Sequence, residues 1–338
     1  MEQVIQSPVT GGPAHKCDEF RCADLIARYR NDWGLDVADH FQDMHRLSLY
    51  LCKDSGYRFF HPRSLAGEAA FYDRFWALEN PTIHRPKGVI RDDWLFALDR
   101  LQPGEKVLDV GCAEGAFMGH AQELTDVEGI DENEEGCRIA RHDGLNATCS
   151  SIIDYANSRP QAFDVVVASQ VLEHVYDVAA FMTGLIGLVR QGGRIILSVP
   201  NNEPYYAGWA KYDPLNNPPH HIGLWNENAL RKMANHFGLV VDEVGYLGTP
   251  DRFLLQVYRR ASHLADVTRA PNQLKFGDWL RIAVVTPIAI VLTIGERLLR
   301  STCNHAYVSV VLRRPSDRPS GVEGSDRRPV QTSSGHAA

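Results

Sequence analysis

The stretch Lys106-Val107-Leu108-Asp109-Val110-Gly111-Cys112-Ala113-Glu114-Gly115-Ala116-Phe117 constrains the fold more than any other part of this chain. Apolar residues on both sides of Asp109 describe a short strand buried on both faces, as in the middle of a parallel sheet. Gly111 then permits a turn that a Cβ would obstruct, and Gly115 permits close packing where the next element begins. From Ala116 to Leu124 the apolar spacing becomes helical. A strand, a glycine turn and a helix start gather free N–H groups at the carboxyl end of the strand. Open α/β sheets hold their ligands there.

Spacing narrows the choice of ligand. A dinucleotide fold favours Gly-x-Gly-x-x-Gly, with an acid some way further on. Here the pattern is Gly111-x-x-x-Gly115, and Ala113 and Ala116 stand where the second and third glycines would be. Asp109 precedes the turn, and Val127-Glu128-Gly129-Ile130-Asp131 gives a second strand ending in an acid. Such an acid can grip two ribose hydroxyls through charge-assisted hydrogen bonds. The combination suits a nucleoside carrying an amino acid. Taken alone, it would also fit a buried strand followed by an ordinary turn.

With these residues the chain resembles the class I S-adenosylmethionine-dependent methyltransferases, over roughly Leu101 to Leu247 and again from Ala306 to Arg313. The resemblance implies an α/β fold: a Rossmann-like seven-stranded sheet, mostly parallel with an antiparallel final strand, and helices on both faces. It implies S-adenosyl-L-methionine as cofactor, held by Asp109, Gly111, Cys112, Ala113, Gly115, Asp131, Ser151, Ile152 and Ser169. Relatives commonly carry Gly-Asp where this chain has Ser150-Ser151, and Asp154 comes three residues late. The adenine contact therefore falls to a serine hydroxyl or to the Ile152 main chain.

The same resemblance covers the strand Phe163–Ala168 and the segment Ser169-Gln170-Val171-Leu172-Glu173-His174-Val175. Leu-Glu-His at that point marks the small-molecule branch. The Asn/Asp-Pro-Pro-Tyr signature of enzymes that methylate nucleic-acid amino groups is absent. His174 could orient the acceptor or take its proton, because an imidazole titrates near neutrality. It could equally pin its loop together with Glu173. Between Asn201 and Asn226 the chain is too long and too rich in aromatics, prolines and histidines for a mere connection. By the resemblance, His220 and His221 face the acceptor there, with Tyr205, Tyr206 and Trp225 as walls. Paired histidines could bind a metal, but no carboxylate at helical spacing supports one, and none is expected. Trp76, Arg85 and Arg91 lie in the region that, in the family, folds over the cofactor.

Later elements read in order. A helix from Val178 to Val189 is closed by Gln191-Gly192-Gly193 as a left-handed end, before a strand Arg194–Pro200. Asn226 caps a helix through His236, Gly238 ends it, and Leu239–Leu247 is the next strand. The final strand, Ala306–Leu312, follows only after an insertion. That insertion holds Ile282–Ile294, thirteen residues without a charge, between Arg281 and Arg297. It falls short of the ~20 residues that span a bilayer. A peripheral membrane contact or a homodimer through 280–298, a lid, or a plain helix packed on the sheet all fit.

The expected organisation is a leader and small hairpin module (1–66), a methyltransferase core (67–248), an inserted helical, partly hydrophobic segment (249–305), the last sheet strand (306–314) and a disordered tail (315–338). Residues 1–19 read as a loose leader, followed by a short helix between Cys22 and Leu35. Alternation on either side of Asp54-Ser55-Gly56 reads as a β-hairpin. It resembles a degenerate zinc-ribbon-like hairpin, with Cys52 present but Ser55 where a second cysteine would stand. Cys17, Cys22 and His61 could complete a four-ligand site; a hairpin without metal is the expectation. The net charge of −7 argues against a wholesale nucleic-acid binder. Seven cysteines without a paired framework, and no signal-peptide pattern after Met1, point to a reducing, cytoplasmic setting.

The function this implies is methyl transfer to a small-molecule or lipid-linked acceptor, at oxygen first and at a sugar carbon next. Two alternatives use the same cradle: a nicotinamide-dependent oxidoreductase, and a non-catalytic scaffold that binds S-adenosylmethionine.

Overall fold

The computed structural model describes residues 5–42, 44–78, 90–203, 213–248, 257, 261, 264–265, 267, 274–299 and 306–316. Arg85, Tyr205, Tyr206, Cys303 and the tail from 317 lie outside the described residues.

Two sheets organise the chain. The N-terminal one uses β1 (Ile5–Gln6), β2 (Pro13–Arg21), β3 (Arg46–Cys52) and β4 (Arg58–His61). The second takes β5 (Lys106–Val110), β6 (Asp126–Asp131), β7 (Ala147–Cys149), β8 (Phe163–Ser169) and β9 (Val189–Pro200). The chain then contributes β10 (Gly223–Leu224) to the first sheet and β11 (Val240–Leu247) and β12 (Tyr307–Arg313) to the second. The spatial orders are β1-β2-β3-β4-β10 and β11-β12-β9-β8-β5-β6-β7.

β5 pairs in parallel with β6 and β8, and β12 runs antiparallel between β9 and β11. The strand order therefore reverses beside β5, which opens a crevice at its carboxyl end. Successive side chains alternate between two cores. Leu108, Val166, Ala168 and Leu197 enter one, and Val107, Val165, Val167 and Ile196 the other. Both faces are covered, so these strands read as unbroken apolar runs.

Two expectations need correction. Residues 5–21 are no loose leader; they form β1 and β2, and Ala14 pairs with Cys52 of β3. Gly192 and Gly193 do not end a helix. The helix Val178–Leu188 passes directly into β9, and the glycines form a bulge in that strand, where the partners jump from Phe163↔Val189 to Val165↔Arg194. Gly192 sits at φ +73° and donates to the Arg314 carbonyl (2.9 Å). A Cβ on Gly193 would stand 2.8 Å from the Asp164 carbonyl oxygen, so the bulge needs glycine. The helix Phe276–Leu299 contributes to a small core of its own among the described residues. Its buried Ile282 and Ala289 join Val257, Ala261 and Val267 in a separate cluster, while Phe276 (84%) and Val284 (70%) are exposed. No helix among the described residues is long and apolar enough to cross a membrane.

The expected hairpin is present, with Gly56 at φ +72° between β3 and β4. The six described cysteines are free thiols, and Cys17, Cys22, Cys52 and His61 do not assemble into a metal-binding group among the described residues. His61 Nδ1 instead meets the Tyr176 hydroxyl (2.8 Å).

Trp225 joins the two sheets. It is fully buried, lies 4.1 Å from the Tyr57 ring by centroid, and directs Nε1 to the Leu172 carbonyl (3.4 Å). It is a core residue rather than the wall of an open site. Trp225→Ala should lower unfolding stability by about 3–5 kcal/mol, read as a fall in the urea midpoint. An unchanged midpoint would mean that the sheets do not share this core.

Candidate functional site

The turn after β5 is built as its glycines suggest. Gly111 (φ +78°) and Gly115 (φ +81°) both occupy the left-handed region. A Cβ on Gly111 would approach Val171 Cγ2 to 2.4 Å, and one on Gly115 would approach Leu145 Cδ1 to 2.4 Å. Gly111 N donates to the Ile130 carbonyl (2.8 Å), which draws the turn onto the end of β6. Ala113 is also left-handed (φ +47°), and its N–H donates to Asp131 Oδ2 (2.9 Å). Asp131 Oδ1 accepts from Asn133 N (2.8 Å). Asp131 is thus locked against the turn, with carboxylate lone pairs to spare.

Asp109 is buried beneath this turn, and burial, then the Asp131 carboxylate, push its pKa up to about 7, while Arg91 opposes the shift. Arg91 itself is held by buried Asp93, through Nε to Oδ1 (2.8 Å) and a second bond to Oδ2. The Cys112 thiol packs in the core beside Gly129, and its N–H donates to the Ile130 carbonyl (3.1 Å).

Ser151 caps the helix Ile152–Ser158, accepting from Asp154 N and donating to Asp154 Oδ2 (2.7 Å). Ile152 packs against Gly184. At the end of β8, Ser169 Oγ and Gln170 Nε2 are shut off from solvent without a hydrogen-bond partner among the described residues. Gln170 also holds φ +59°, a strained conformation for a non-glycine residue. No sequence pattern marks that strain, and Gln170 was missed for that reason. Trp76 is half exposed.

The three histidines of the sequence reading come together. Ring centroids of His174, His220 and His221 lie 4.6–4.8 Å apart. His174 Nδ1 meets the His220 carbonyl (2.6 Å) and the Tyr72 hydroxyl (3.0 Å), and that hydroxyl donates to the same carbonyl (3.1 Å). Burial lowers the pKa of His174 to about 4 and holds those of His220 and His221 well below the ordinary imidazole value. All three are neutral at ordinary pH. Glu173, fully buried, has its pKa raised by burial to about 8. Its Oε1 lies 3.9 Å from His221 Nε2, too far for a hydrogen bond, and a neutral imidazole makes no ion pair with it. Tyr72 and Glu173 complete the cluster from distant positions, and no local spacing links them to His220.

Comparison with known proteins bears on this geometry. A family model described as a methyltransferase domain matches residues 83–244. A ubiquinone biosynthesis O-methyltransferase of Xanthomonas campestris is 33% identical over 154 residues, covering 43% of this chain and 64% of that protein. One of the same description from Aeromonas salmonicida is 31% identical over 144 residues, covering 40% and 60%. The chain thus spans just under two thirds of the length of these curated relatives. A solved S-adenosylmethionine-dependent methyltransferase from Archaeoglobus fulgidus overlaps 65% of this chain and 94% of that one, at 18% identity and TM-score 0.45. Residues 83–244 of the chain thus form a methyltransferase domain.

Proposed function

We propose that this chain transfers a methyl group from S-adenosylmethionine to an oxygen atom of a small-molecule or lipid-linked acceptor. The observation that supports the reading best is a pair of acids around one bare turn. Asp109 is buried on one side, Asp131 is locked on the other, and Gly111 to Ala116 carry no basic residue for a pyrophosphate. The donor set fits the cofactor. A buried acid suits an ammonium, a second acid suits a ribose diol, and the unpartnered Ser169 hydroxyl and Gln170 amide suit further polar groups.

When bound, the cofactor supplies an electrophilic methyl on a sulfonium that departs as a neutral thioether. The chain's own share is alignment and exclusion of water. Asp131 would hold the ribose hydroxyls and Asp109 the ammonium. The main chain of Gly111, Cys112, Ala113 and Gly115 would shape the cradle, and Ser151 and Ile152 would lie beside the adenine. His174, His220 and His221 would line the acceptor side and orient its hydroxyl. The burial that keeps them neutral also makes them weak bases, so their part would be orientation rather than proton uptake. The relatives' description as O-methyltransferases supports oxygen as the receiving atom.

Calorimetry tests the cradle. S-adenosylhomocysteine should bind and NADH should give no heat. Asp131→Ala should weaken the former by about 10-fold or more, the loss expected for hydrogen bonds to a charged group. Tight NADH binding with no response to S-adenosylhomocysteine would overturn the reading.

The pH dependence follows from Asp109. With its pKa raised to about 7, the ligand-free chain is protonated there below that pH. A bound ammonium favours the ionised form, so affinity should rise with pH up to about 7, by at most about 10-fold per unit, and then level off. Asp109→Asn should flatten that slope. A dissociation constant independent of pH in the native chain would remove Asp109 from the ammonium site.

A further inference from the structure

The fold gives the paired histidines what the local sequence lacks, a third imidazole and a carboxylate. His174, His220 and His221 each offer a ring nitrogen within 4.8 Å of the others. Two of the rings have their proton fixed on the far side. His174 Nδ1 faces the His220 carbonyl at 2.6 Å, and His221 Nδ1 faces Asn216 Oδ1 at 3.2 Å. Asn216 is itself oriented, since its Nδ2 donates to Asn202 Oδ1 (2.7 Å) and so turns its oxygen toward His221. Facing acceptors, both Nδ1 atoms carry the hydrogen, which leaves the lone pair of each ring on Nε2; the His174 ring also meets the main chain of Gln170, a contact an ion would have to displace. Imidazoles pinned in this way through the opposite nitrogen are how proteins aim histidines at a metal.

Three atoms at this cluster are left unsatisfied among the described residues. His220 Nδ1 and both carboxylate oxygens of Glu173 are shut from solvent with no hydrogen-bond partner among the described residues. Glu173 Oε1 stands 3.9 Å from His221 Nε2, close enough to turn toward an ion held by the imidazoles.

We infer that His174, His220 and His221, with Glu173 as fourth ligand, form a site for one divalent transition-metal ion of the zinc class. Three imidazoles and one carboxylate suit such an ion better than magnesium or calcium, which favour all-oxygen shells. Ligand atoms of a tetrahedral zinc site lie about 3.3 Å apart, so side-chain rotations must close the spread of up to 4.8 Å among the three imidazoles and bring Glu173 in beside His221. Beside the acceptor, the ion could polarise the hydroxyl that receives the methyl group only by taking it as a fifth ligand or in exchange for Glu173. That role rests on the methyl-transfer reading above; the binding of the ion does not.

The test uses the full chain, stripped with a chelator and titrated with Zn²⁺ against a chromophoric competitor. One equivalent should bind. His220→Ala and Glu173→Gln should each weaken binding by about 100-fold, and Asn216→Ala, which only positions His221, by about 10–100-fold. His142→Ala, at a side chain 82% exposed elsewhere, should leave binding unchanged. Co²⁺ in place of zinc should give visible tetrahedral ligand-field bands that His221→Ala abolishes. Circular dichroism identifies any variant that fails to fold, and the near-isosteric Glu173→Gln then decides. No stoichiometric Zn²⁺, or equal affinity in the Glu173→Gln, His220→Ala and His142→Ala chains, would overturn the inference. Calorimetry with S-adenosylhomocysteine on the same samples separates the two readings. Cofactor binding without metal sinks only the ion site, and metal binding without cofactor sinks only methyl transfer.

Discussion

Everything on the acceptor side depends on one main-chain carbonyl. The oxygen of Glu173, just after β8, accepts from both Ile222 N and Gly223 N at 2.9 Å. Gly223 also begins β10, which pairs with β4 of the N-terminal sheet. The loop that carries His220 and His221 is therefore clamped between the end of a core strand and the edge of a second sheet. The Tyr29 hydroxyl strengthens the clamp from the N-terminal side, at 2.7 Å from the Pro214 carbonyl and 3.1 Å from that of Asn217. A loop rich in prolines and histidines would otherwise lose its geometry to conformational entropy. Here it is held by strands on both sides, and side chains far apart in the sequence meet within hydrogen-bonding distance.

The N-terminal sheet thus acts as a structural part of the site. Its β3–β4 hairpin reaches the core through Cys52, Tyr57 and Phe59, which share one apolar cluster with Trp225, Leu172 and Leu230. Phe71 and Phe75 belong to the other cluster of this region, and Phe75 lies 4.6 Å from the His220 ring by centroid. The imidazoles are neutral because this packing removes water from them. Apolar surface sets their protonation state as surely as any neighbouring charge would.

What could be read from the sequence follows from how local each signal is. The strands at Lys106–Val110 and Phe163–Ser169 are apolar runs in a sheet covered on both faces, so composition alone marks them. Asp109, Gly111, Gly115 and Asp131 sit at fixed offsets from those runs, and the turn could be drawn before any coordinates. β2 was not legible. Only Ala14 and Phe20 of its nine residues are buried, and a bulge between Lys16 and Asp18 breaks the period of two that identifies a half-buried strand. Gly192-Gly193 misled because a glycine pair after a helix fits either a left-handed cap or a bulge, and the choice depends on the approach of Asp164 and Arg314. The approach of Glu173 to His221 brings two segments together through a non-local fold, which no spacing rule contains.

The cofactor side has an energetic logic of its own. A buried Asp109 whose pKa is raised to about 7 makes the ligand-free fold weaker as pH rises. From the ordinary carboxylate value near 4 up to about 7, the folded chain keeps a proton that the unfolded chain releases. Stability therefore falls across that window by at most about 1.4 kcal/mol per pH unit, and then levels off. A residue selected only for folding would be an asparagine or an apolar side chain. The acid makes sense when a positive group arrives to share its burial, because the ion pair then recovers what desolvation cost and does so only for a ligand carrying that charge. The strain at Gln170 and the unpartnered Ser169 hydroxyl belong to the same pattern, local costs held in place by a rigid sheet at the point where a ligand would relieve them.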